Sequence, residues 1–101
     1  MKNKEVETTV YIDQDRIMKE INLLGWKTAS NADVEKFRRA VLSKINDTTD
    51  VVSMVGQLPT EVGMVIAAAL AQRVVRFEYG EFRKLRSVIF DYSEQCPEMK
   101  V

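Results

Sequence analysis

The chain has 101 residues, which is one domain by length and enough to bury a real core. Its 15 basic and 15 acidic residues cancel, so no long-range field draws it to nucleic acid or anionic lipid. It has no histidine and one cysteine, Cys96; this removes the commonest general base, the usual zinc ligand and any intramolecular disulfide. The inventory argues against an enzyme and implies no cofactor and no metal.

Residues 1–5 are polar, carry no apolar signal region and read as a loose end. With a single cysteine, a cytoplasmic location is the simplest expectation. The segment 6–12, Val-Glu-Thr-Thr-Val-Tyr-Ile, is β-branched and partly alternating, which predicts a short strand. Glu7, Thr9 and Tyr11 fall on one side of it. No second comparable strand is read in the chain, so this one is expected to pair with its copy in another subunit or to dock on a partner.

Asp13 offers a helix N-cap. Ile17, Ile21 and Leu24 follow at helical spacing to Gly25, the expected stop. Asp13 and Asp15 read as cap and macrodipole partners rather than an acid–base pair. Trp26 falls in the next turn, as a plug for the core or an anchor for a partner. Ser30 and Asp33 approximate a capping box. The helix they open runs from about 32 to 45, with Val34, Phe37, Val41 and Ile45 on its apolar face. A short helix is expected over 50–55, stopped by Gly56.

Pro59 then permits a new helix, with Thr60 as its expected cap. From Val62 to Gln72 no residue is charged. A helix apolar on nearly every face is buried all round or spans a membrane. Arg73 and Arg76 end the run well short of the roughly 20 residues a span needs. The stretch at about 60–78 therefore reads as a buried central helix. Its alanines would let neighbouring helices approach closely. A further helix is expected over about 81–94, continuous with the first or broken from it at Gly80, and Pro97 secures its end. Residues 97–101 read as a loose tail.

These elements predict a mainly α domain: four to five helices around the central one, with one N-terminal strand. Arg73, Arg76, Arg83, Lys84 and Arg86 are the densest basic cluster, either an anion or partner surface or a solvated face. Cys96 has no base to activate it and reads as incidental.

Strand, helix, turn and helix follow one another across Thr8–Asp13, Asp15–Leu24, Gly25 and Val34–Ile45. This order resembles the ribbon-helix-helix DNA-binding family over roughly residues 6–45. The resemblance implies a dimeric repressor whose paired strands enter the major groove, with Glu7, Thr9 and Tyr11 at the base-reading positions. The first expectation from the residues is different. It is a small non-enzymatic binding or regulatory protein that self-associates and contacts a protein partner, of the kind found among phage and mobile-element accessory proteins and inhibitors. Ribbon-helix-helix repression is the alternative.

Overall fold

The structure, a computed structural model, describes residues 7–80 and 86–92. Its elements run β1 (Thr9–Asp13), α1 (Gln14–Glu20), α2 (Asn31–Leu42), β2 (Val51–Val55), α3 (Thr60–Leu70), β3 (Arg76–Gly80) and β4 (Arg86–Asp91). The strands form one sheet in the order β1-β2-β3-β4. β1, β2 and β3 are parallel, and β4 returns antiparallel to β3. The protein is therefore an α/β fold. The expectation of a mainly α, all-helical domain of four to five helices around a central one at about 60–78 is overturned.

Three segments account for the correction. Val51–Val55 reads as a helix turn because all of it except Ser53 is apolar, but it is β2, paired on both sides and buried along most of its length. A strand covered on both faces shows no alternation, so its pattern cannot be told from that of a buried helix. The predicted central helix ends at Leu70, and its last residues are β3. The predicted helix over 81–94 contains β4; its residues 81–85, 93 and 94 lie outside the described residues, as do the two loose ends at 1–5 and 97–101. The strand expected over 6–12 lies at Thr9–Asp13, with Val6 outside the described residues. It pairs with β2 of its own chain, from Thr9 opposite Val51 to Asp13 opposite Val55.

Right-handed crossovers from β1 to β2 and from β2 to β3, stepping the same way across the sheet, place their helices on the same face. The core follows from this. Val10, Val52, Phe77 and Phe90 lie side by side across the sheet, with Ile12, Met54 and Tyr79 in the next row. Ile17 of α1, Phe37 and Val41 of α2, and Val62, Ile66 and Leu70 of α3 pack on them in one cluster. Among the described residues, no helix packs on the other face.

Local signals set the helix starts. Asp13 caps α1, its carboxylate accepting from the Asp15 amide at 2.9 Å. Ser30 Oγ accepts from the Asp33 amide, and the Asp33 carboxylate accepts from the Ser30 amide, closing a capping box at α2. Neither α1 nor α3 runs as expected. α1 ends at Glu20, before Gly25, and Asn22 takes the left-handed conformation with φ 58°. Pro59, not Thr60, precedes the first residue of α3, and no side chain caps it.

Candidate binding surfaces

Three members of the predicted basic cluster, Arg73, Arg76 and Arg86, have described backbone positions, and these fall at different places in the fold. Arg76 opens β3, while Arg86 opens β4 beside Gly80 at the far end of the same strand. Arg73 sits in the turn after α3, beside a surface cavity of about 610 Å³ that Ile45, Asn46, Asp47 and Gln72 also line. The single acid and single base there offer no cradle for an anion. Arg83 and Lys84 lie outside the described residues.

Arg76 is an internal ion-pair hub. Arg76 and Glu78 are two apart on β3 and so point to one face. The Arg76 Nε donates to Glu78 Oε1 at 3.0 Å, and its two terminal nitrogens donate to the Glu7 carboxylate at 2.9 and 3.1 Å. The Glu78 side chain is only 4% exposed. Burial pulls the Arg76 pKa down, but the bonds from Glu7 and Glu78 outweigh it and hold the guanidinium above its ordinary value. Glu7, expected to face a partner, is held by this arginine.

Trp26 is also engaged. Its ring meets Phe37 edge to face, with centroids 5.0 Å apart, and its Nε1 donates to Gln14 Oε1 at 3.1 Å. It is partly buried against the core rather than displayed.

The helix-free face of the sheet carries three rows: Thr9, Val51, Arg76 and Asp91; Tyr11, Ser53, Glu78 and Val88; Asp13, Val55 and Gly80. Tyr11 is 70% exposed, and Val55 and Val88 also reach solvent. β1 ends the sheet, with no strand on its outer side among the described residues. The Thr8 carbonyl accepts from the Val51 amide, so it faces β2. Backbone groups alternate sides along a strand, so Val10 and Ile12 also turn theirs inward. Thr9 and Tyr11 turn theirs outward. At the centre of this edge Tyr11 thus presents an exposed ring and an outward amide and carbonyl together.

Sequence reasoning missed the outer face of α3. Val62, Gly63, Ile66 and Leu70 point inward, but Met64 is 67% exposed and Val65 39%. Hydropathy hid this, since the exposed and buried faces are almost equally apolar. No group of three or more His, Cys, Asp or Glu side chains that could hold a metal occurs among the described residues. No described helix is long and apolar enough to cross a membrane. In comparisons with known proteins, no family model, curated protein or solved structure matches the chain.

Proposed function

We propose that this is a small, non-enzymatic binding protein of the cytoplasm that acts by stoichiometric contact with a protein partner. The observation that carries the reading is the outer edge of β1. A free edge is a template for another strand. In strand addition, main-chain bonds supply affinity and neighbouring side chains supply selectivity. Tyr11 contributes both here. The partner segment is extended and places an apolar side chain beside the Tyr11 ring. The histidine-free sequence supports a binding role over a catalytic one.

The ribbon-helix-helix alternative rests on the order of elements over residues 6–45 and needs the strand to pair with its copy in a second subunit. β1 pairs with β2, so that alternative is not carried forward.

Two substitutions test the proposal. Tyr11→Ala removes the ring. Tyr11→Pro removes the outward amide at an edge position, where proline does not interrupt the inner ladder. The wild-type protein should retain a partner from host lysate at fixed stoichiometry, and both variants should lose it while keeping the wild-type circular dichroism. Retention by folded variants, or no stoichiometric partner for the wild type, rejects the reading.

A further inference from the structure

A surface helix normally turns a polar face to water. α2 does so: Glu35 pairs with both Arg38 and Arg39 along its outward side. α3 does not. Its outward positions are Glu61, Met64, Val65 and Ala68, followed by Gln72 in the succeeding turn, and nothing between Val62 and Gln72 is charged. Residues 61, 65, 68 and 72 follow the three- and four-residue spacing of a single helix stripe. Charge bounds that stripe at both ends, with Glu61 at the start and Arg73 just past the finish. Both are exposed, and neither has an ion-pair partner among the described residues.

We infer that the outer face of α3 docks on the same face of a second copy of this chain, antiparallel, about a two-fold axis. The charge pattern selects both occupant and direction. In a two-fold contact each residue i meets a residue j and j meets i. Centring the axis between Val65 and Ala68 sets Val65 of each copy over Ala68 of the other. Large side chains then meet small ones, and the helices can approach to about 8 Å. The same register brings Glu61 of each copy to the Gln72–Arg73 end of the other. Two opposite-charge pairs close the ends of an uncharged seam. A parallel arrangement would instead oppose Glu61 to Glu61 and Arg73 to Arg73. One helix pair is a small contact, at the lower end of specific interfaces, so the dimer is a micromolar one. This surface lies on the helix side of the sheet, and the inference does not depend on the role proposed for Tyr11.

Sedimentation velocity on the full chain from about 1 to 500 µM tests it. The wild-type mass should rise from monomer to dimer across this range. Ala68→Arg, at an exposed position, should stay monomeric throughout with an unchanged circular dichroism spectrum. Glu61→Arg and Arg73→Glu should each weaken the dimer at least ten-fold, and the double variant should recover it. Tyr11→Ala should dimerise as the wild type does, separating this surface from the β1 edge. A wild type monomeric at every concentration overturns the inference. So does a folded Ala68→Arg variant that still dimerises, or a charge-swapped double variant no tighter than either single variant.

Discussion

Arg76 shows how environment sets the worth of an ion pair. Its bond to Glu7 lies at the surface, where such pairs contribute about 0–1 kcal/mol. Its bond to Glu78 lies inside, where removing one partner leaves a charge that water cannot reach. Glu7→Gln should therefore lower stability in urea by no more than about 1 kcal/mol, and Arg76→Leu by about 3 kcal/mol. Equal effects would refute the assignment. Asp33 is a different case. Hydrogen bonding from the Ser30 backbone is the largest influence; desolvation opposes it, but with the Ser30 side chain and Lys36 added the carboxyl is held below the ordinary 3.8. A carboxylate with a depressed folded pKa stabilises above its unfolded value, and that stability is lost as pH falls through the folded one. Asp33→Asn should thus lower stability at pH 7 and have progressively less effect as the pH falls below 3.8. A destabilisation that persists undiminished at pH 2 would show that the capping box is not the source. The capping box was legible from Ser30 and Asp33, because both partners are three residues apart. Arg76 was not, because Glu7 is distant in sequence and Glu78 reads as the same face only if the segment is a strand.

α3 places its inward face against the sheet through Ile66 and Leu70, both fully buried. Truncating either to alanine should cost about 2–5 kcal/mol; a near-neutral result would mean that α3 does not cover the core. Gly63 has a narrower role. A Cβ there would come within 2.9 Å of the Tyr79 hydroxyl. Burial raises the pKa of that hydroxyl, and a hydrogen bond with the Leu58 backbone opposes the rise. Alanine gains about 1 kcal/mol of helix propensity over glycine, so the outcome turns on the tyrosine. Gly63→Ala should be better tolerated in a Tyr79→Phe background than alone, read as the coupling in a double-mutant cycle. Strict additivity would show that the hydroxyl is not what glycine accommodates. At this scale the apolar run starting after Pro59 gave a correct start for the helix but not its end. Arg73, Val74, Val75 and Arg76 keep a pattern that either helix or strand can accept.

β2 lies inside the sheet between β1 and β3, and all three strands feed the core. Asp50 gathers the strand starts at one end of the sheet. Its carboxylate accepts from the Thr8 amide at 2.9 Å, its own amide donates to the Thr8 carbonyl, and its carbonyl accepts from Val75 and Arg76. This organisation predicts a gradient of protection from hydrogen exchange. The amides of Val51–Met54 should open only with global unfolding, while the outward amides of Thr9 and Tyr11 on the β1 edge should exchange far sooner. Equal protection of the two strands in dilute monomer would contradict the strand order.

Local chemistry in the sequence was sufficient for the caps at Asp13 and Ser30, the N-terminal strand and the amphipathic face of α2 from Val34 to Val41, although the helix stops at Leu42 and not at 45. Each rests on residues within a few positions of one another. Fold class depended on partners far apart in the chain. Val51–Val55 becomes a strand because β1 and β3 flank it, and Arg76–Gly80 because β2 offers a parallel edge. Only the tertiary structure could decide those pairings, since the same apolar residues satisfy a buried helix and a buried strand equally well. Burial likewise decided which apolar residues are core. Ile66 and Met64 are two positions apart on one hydrophobic helix, and the sheet covers only the first.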